Sequence, residues 1–292
     1  MPDIPRIYTA IAEWMACMLF ILPVKKRFDR VKTGTLMAAA LAIQSLFLTV
    51  TGDVRIYFWI PCMIIAVLLM VEFIYGCCDI SMTDAGYFGI IAFVAAEFMA
   101  SVEWQIVCYF WKGKIPAILI QAVMLVLIYG IAIIILYKVL HMHLPKDGKM
   151  GISIKEYISG LVIAIAVFAV SNISFLTENT PFSGRYSFEI GNIRTLVDLG
   201  GIAILYAHLI QCCELRVRKE LEAVQNVLQN QYVQYKQSRE SIELINYKYH
   251  DLKHQIAVLR SEEDPKKREE FLNRMEEEIR QYEAQKDRKS VV

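Results

Sequence analysis

The stretch IPAILIQAVMLVLIYGIAIIILYKVL, residues 115–140, holds one charged side chain, Lys138, in 26 positions, and its reading decides the kind of fold. About 20 consecutive apolar residues are needed to carry a helix across the hydrocarbon core, and in lipid only a helix or a closed barrel satisfies its own backbone. Six further stretches read the same way: residues 7–24, 35–50, 56–75, 87–110, 154–176 and 193–213. The whole chain agrees, with 56% hydrophobic residues over 292 positions and a mean hydropathy of +0.39, more apolar than one water-facing core accommodates. The first stretch reads as a retained anchor rather than a cleavable leader, because its basic cluster, Lys25, Lys26, Arg27, Arg30 and Lys32, follows the apolar run instead of preceding it.

Basic residues orient the spans. That cluster is expected in the cytoplasm, which puts the amino terminus outside, and alternation then places Lys138, Lys146, Lys149 and Lys155, and later Arg216, Arg218 and Lys219, inside. The loops expected outside carry only Arg55, then Lys112 and Lys114, then Arg185 and Arg194. The inner loop around Asp79 and Asp84 has no basic residue and is the weak point of this scheme. Seven spans leave the charged tail in the cytoplasm, a multi-pass plasma-membrane topology surrounded by membrane lipids.

Within the spans, Glu72, Glu97, Glu103 and Gln121 are costly in lipid and are expected to face the bundle interior. They are ligand contacts or a proton path on one reading, interhelical hydrogen-bond partners on the other. No repeated glycine-interrupted half-spans of the transporter kind are visible. Seven cysteines, none in a CxxC spacing, read as small buried hydrophobes, not as a disulfide framework or a zinc site; Cys212 and Cys213, at the end of the last span, are positioned for palmitoylation.

Beyond residue 213 the composition changes. Residues 214–292 hold 16 Lys+Arg and 16 Asp+Glu, and no glycine follows Gly201. The balance of charge argues against nucleic acid as a partner, and the missing glycines exclude a phosphate-cradling loop from the tail. A seven-residue repeat starts at Leu221: first positions Leu221, Leu228, Tyr235, Ile242, Tyr249 and Ile256, fourth positions Val224, Gln231, Ser238, Ile245, Leu252 and Leu259. It predicts a long helix continuous with the seventh span and paired in a left-handed coiled coil, softened at Gln231 and Ser238. Pro265 ends that helix near Ser261–Asp264 and starts a second arm, whose stripe Leu272, Met275, Ile279 and Tyr282 packs back as a hairpin. Two chains then form a dimeric four-helix bundle.

On the first arm lies Tyr249-His250-Asp251-Leu252-Lys253-His254. His250 and His254, one turn apart, point away from the seam. A neutral imidazole is a phosphoryl-accepting nucleophile, and an adjacent carboxylate such as Asp251 can fix its tautomer. With His250, Asp251, Lys253 and His254 in this order on a hairpin after a multispan domain, the chain resembles membrane sensor histidine kinases of the peptide-quorum-sensing, GHKL type. The resemblance covers the architecture loosely and residues 240–285 more specifically. It implies that His250 receives the phosphoryl group, that Asp251 is its base or orienter, and that His254 aids phosphatase chemistry. It also implies a homodimer, a response regulator and an extracellular peptide or other small ligand as partners. In that family ATP and magnesium are held by a following domain with asparagine and glycine boxes; this chain contains no such domain, so no cofactor is expected within it.

The expected organisation is all-α: a transmembrane sensor domain at 1–213, a coiled-coil signalling helix at 214–248, a phosphoacceptor hairpin at 249–286 and a non-native end at 287–292. Asp287-Arg288-Lys289-Ser290-Val291-Val292 does not continue the apolar stripe, and one back-translation of it reads as a sequencing adaptor, which implies that the native frame continues after about Lys286. The rival expectation is a noncatalytic membrane scaffold or small-solute carrier whose tail only oligomerizes.

Overall fold

The computed structural model describes residues 4–52, 56–111, 118–141, 149–176, 187–261, 264–267, 269–270, 272–277 and 280. Seven long helices follow one another: α1 (Arg6–Ile21), α2 (Arg30–Val50), α3 (Ile56–Cys77), α4 (Met82–Phe110), α5 (Ile118–His141), α6 (Ile154–Leu176) and α7 (Ser187–Ser261). Each of the seven apolar stretches overlaps one helix of its own. Six of these helices are long and apolar enough to cross a membrane; α1, with 16 residues, is the short one. The protein is therefore read as a helical integral membrane protein. Among the described residues no strand occurs, only an isolated antiparallel bridge between Lys26 and Cys78.

Polar caps set the start of two helices, and at α4 the cap places it upstream of the apolar core. At α4, Ser81 Oγ accepts from the Asp84 backbone N–H at 3.1 Å, so Asp84, expected in a loop, sits in the first turn. At α6, Ser153 and Glu156 form a reciprocal capping box: Ser153 N–H donates to Glu156 Oε2 at 2.8 Å and Glu156 N–H to Ser153 Oγ at 3.4 Å. Asp84 also accepts from the Gly151 and Ile152 amides, at 3.3 and 2.9 Å, tying the start of α4 to the approach to α6. Gly151 has φ +63°, the left-handed region that an L side chain rarely adopts.

The chain divides into two units, Met1–Lys219 and Glu220–Val292. In the first, α4 is the central helix: its most apolar segment is 89% buried, against 17% for those of α2 and α6 and 22% for that of α5. It packs against α1, α3, α5 and α6. The α4–α6 crossing is close because glycine faces tyrosine in both directions: a Cβ on Gly86 would lie 2.7 Å from Tyr157 Cε2, and one on Gly160 2.8 Å from Tyr87 Cε2.

The basic cluster after α1 is locked in place. Arg27 N–H donates to the Cys77 carbonyl and Asp79 N–H to the Lys25 carbonyl, both at 3.0 Å. The Lys26 ammonium donates to the carbonyls of Ile21, Leu22 and Val24, satisfying the end of α1, and the Arg27 guanidinium stacks 4.3 Å from the Tyr75 ring. Lys149 reaches Asp79 at 3.2 Å, so basic groups do surround the α3–α4 turn that carries none of its own. Arg30 and Lys32 belong to the first turn of α2, not to a loop. Unit 1 extends to Lys219 because Arg216 donates to the Lys149 carbonyl and Lys219 lies 3.7 Å from Glu156. Arg55, Lys112, Lys114, Lys146 and Arg185, used above for orientation, lie outside the described residues.

In the second unit every residue from 220 to 254 is exposed. α7 ends at Ser261, where the sequence places its stop. Asp264 then caps the second arm, its Oδ1 accepting from Lys266 N–H at 3.1 Å with Pro265 at the first helical position. On that arm Leu272 is exposed and Met275 half-buried; Ile279, Tyr282 and residues 287–292 lie outside the described residues.

Candidate functional site

His250, Asp251 and His254 sit on α7 within one and a half turns, all exposed. The spacing of four brings the two imidazoles to one face. Among the described residues none hydrogen-bonds or ion-pairs with these three, so in the single chain both rings are open to an incoming group and Asp251 does not hold His250. The seam residues beside them are equally bare: Leu221, Val224, Leu228, Tyr235, Ile242, Ile245, Tyr249, Leu252 and Ile256 are 45–68% exposed. The outer face of their helix carries i,i+4 pairs such as Arg239–Glu243 at 3.1 Å and Lys236–Glu240 at 3.9 Å.

The bundle interior holds a second constellation, of which the sequence reading named only part. Glu97 on α4 pairs with Arg194, which lies inside α7 and not in the loop where it was expected. One turn along α4, Ser101 Oγ donates to Asp198 Oδ2 at 3.4 Å, and a turn further Gln105 contacts Asn192 and accepts from Thr195 Oγ1 at 3.0 Å. Lower on the same two helices, His208 lies between Tyr87 Oη, 2.7 Å from Nδ1, and Ser159 Oγ of α6, 2.6 Å from Nε2. These contacts attach the first part of α7 to α4 and α6 at two levels. In an apolar medium such pairs position helices strongly, because breaking one strands a buried polar partner.

Of the other in-span candidates, Gln121 accepts from Tyr8 Oη, joining α5 to α1, and Tyr129 Oη donates to the Tyr8 carbonyl at 3.1 Å. Glu103 is fully buried and neither carboxyl oxygen has a hydrogen-bond partner. Glu72 is exposed and lines a cavity of ≈ 200 Å³ between α1, α2 and α3. The same cavity is lined by Glu13, a buried carboxyl that the sequence reading passed over; its Oε2 accepts from Gln44 Nε2 and its Oε1 has no partner. Glu13 and Gln44 were visible as lone polar residues in apolar runs, and Asp198 and His208 likewise.

Among the described residues no group of three or more His, Cys, Asp or Glu is placed to hold a metal ion. Comparison with protein-family models, with curated proteins and with solved structures gives no match to this chain.

Proposed function

We propose that this chain is the sensor and phosphoacceptor part of a two-component receptor histidine kinase. It would cross the plasma membrane seven times with the amino terminus outside and work as a homodimer. The observation that carries the reading is the single helix α7, which begins among the polar contacts of the bundle and continues to an exposed His-Asp-x-x-His segment beside an unpartnered apolar seam. A second copy would cover that seam as a coiled coil. A peptide or other small ligand outside, changing the packing of α4, α6 and α7, would then alter how His250 is presented.

In this reading a nitrogen of the neutral His250 ring attacks the terminal phosphorus of a nucleotide held elsewhere; an N–P bond forms, the P–O bond to the nucleoside diphosphate breaks, and the phosphoryl group passes on to a response-regulator aspartate. Asp251 would orient the ring and His254 would assist the reverse hydrolysis. The residues present do not fit a nucleotide or magnesium site, so no step is assigned to such a group within this chain.

The test mixes the purified chain with the ATP-binding domain of a matching kinase and γ-labelled ATP. Acid-labile label on the wild type, lost in His250→Gln and kept in His254→Gln, is the expected outcome. Label lost only with His254→Gln moves the acceptor. No label with any matching kinase domain favours a scaffold whose tail only oligomerizes.

A further inference from the structure

We propose that the cavity between α1, α2 and α3 binds a small amphipathic ammonium ion, its charge on the Glu13 carboxylate and its apolar body against the Trp14 and Phe73 rings. The unsatisfied valence of Glu13 is the starting point. Gln44 serves Oε2, which leaves Oε1 of a fully buried side chain without a partner at the wall of the cavity. Ionised, that oxygen lacks a donor; protonated, its O–H lacks an acceptor. Either state is expensive for a buried group, and an ammonium N–H satisfies the first with a charge-assisted hydrogen bond.

The rest of the lining selects a cation over other polar ligands. A second carboxylate, Glu72, stands on the exposed side of the same cavity, and no lysine, arginine or histidine lines it. Of the cations on or next to the same helices, Lys26 is engaged on the carbonyls at the end of α1 and Arg27 on Tyr75, and Arg6, whose charge acts on Glu13, does not line the cavity. The indole of Trp14 is held by its Nε1–H donating to the Met37 carbonyl at 2.9 Å, and it and Phe73 line the cavity with aromatic rings. An anion meets two carboxylates here, and a neutral alcohol can pack on the same rings but leaves both carboxylates without a countercharge. At ≈ 200 Å³ the space is somewhat larger than a cavity that takes benzene, so it suits a ligand of about ten non-hydrogen atoms. The site stands whether or not His250 accepts a phosphoryl group, since nothing in it involves the tail.

Equilibrium dialysis of the full chain in maltoside micelles tests this with 2-phenylethylamine, a cation at neutral pH, against 2-phenylethanol, its neutral counterpart. The wild type should bind the amine saturably and more tightly than the alcohol. Glu13→Gln should weaken the amine at least about tenfold while leaving the alcohol within about twofold, because only the charge-assisted contact is lost. Glu72→Gln should cost the amine about threefold, as expected of an exposed charge. Ala40→Phe fills the cavity without touching the carboxylates and should exclude both molecules, which keeps the test decisive if Glu13→Gln fails to fold. No saturable amine binding, wild-type amine affinity in Glu13→Gln, equal affinity for the alcohol, or amine binding undisturbed by Ala40→Phe would each overturn the proposal.

Discussion

The helices described within residues 6–219 and the helix over residues 220–261 use their side chains in opposite ways. In the first region the apolar side chains of α4 are covered by four neighbouring helices, and polar groups find partners across helices, Glu97 on Arg194 and Tyr87 on His208. In the second region every residue from 220 to 254 is exposed, and the apolar residues of a seven-residue repeat stand in the open there beside surface ion pairs. A helix of mixed composition gains little from propensity alone and gets most of its stability from burying one face. The comparison teaches that the bundle carries its own tertiary contacts, whereas the tail helix leaves its apolar seam uncovered in the single chain.

The largest effect should come from breaking the proposed half-interface. Leu228→Asp with Ile242→Asp would bury two charges per chain in a coiled-coil seam and should weaken self-association by several kcal/mol, on the order of 3 or more. Sedimentation of the full chain in detergent reads this as a shift from dimer to monomer. An unchanged dimer would mean that the copies associate through the bundle and that the exposed seam serves something else.

Next in size is the buried ion pair. Glu97→Ala strips the guanidinium of Arg194 of its carboxylate in a buried setting and should cost about 3 kcal/mol of bundle stability. Lys236→Ala, at an exposed pair on the tail helix, should cost no more than about 0.5 kcal/mol. Thermal unfolding in one detergent compares them. Equal losses would erase the contrast between the regions.

The third tests close packing. A Cβ at position 160 would come to 2.8 Å from Tyr87 Cε2, so Gly160→Val should force α4 and α6 apart and cost about 2 kcal/mol. Tyr87→Ala should relieve part of that strain when combined with it, although the hydrogen bond from Tyr87 to His208 is then lost. A Gly160→Val protein as stable as wild type would show that the two helices do not meet as closely as 2.8 Å implies.

The bundle was far more legible than its site. Each apolar stretch overlaps a helix, and six of those helices are long and apolar enough to cross lipid, because that length is a property of local composition; the stop at Ser261 was legible because Pro265 constrains its own neighbourhood. What composition could not supply was pairing. Glu97 and Arg194 are 97 positions apart, and only the fold brings them together; read by charge counting alone, Arg194 went into a loop. Glu13 was overlooked for a related reason: one carboxyl in a strongly apolar run barely changes the hydropathy, yet in a packed interior it is the group with an unmet hydrogen bond. His250 and Asp251 show the converse. Their motif is readable without any structure, and the single chain adds only that they are exposed.

The smallest expected effect sits on the rim of the bundle, at Asp79 and Lys149, which meet at 3.2 Å with both side chains about half exposed. The Lys149 hydrogen bond, and then its charge, hold the Asp79 carboxyl below the usual carboxylate range, with Lys25 and Arg27 adding to the pull. A carboxyl whose pKa is lower in the folded state contributes stability above its unfolded pKa, and that contribution disappears as pH falls through the lowered folded value. The unfolded value is about 3.9, so Asp79→Asn should lower the melting temperature slightly and by the same amount from neutral pH down to about pH 5. Below about pH 4 the gap should begin to shrink, and it should close once the pH is under the lowered folded value. The gap at neutral pH should also shrink in high salt, because exposed charges are screened. A gap that widens on acidification would mean that the amide disturbs the turn for a reason other than charge, and that the basic cluster is not what steadies the α3–α4 connection.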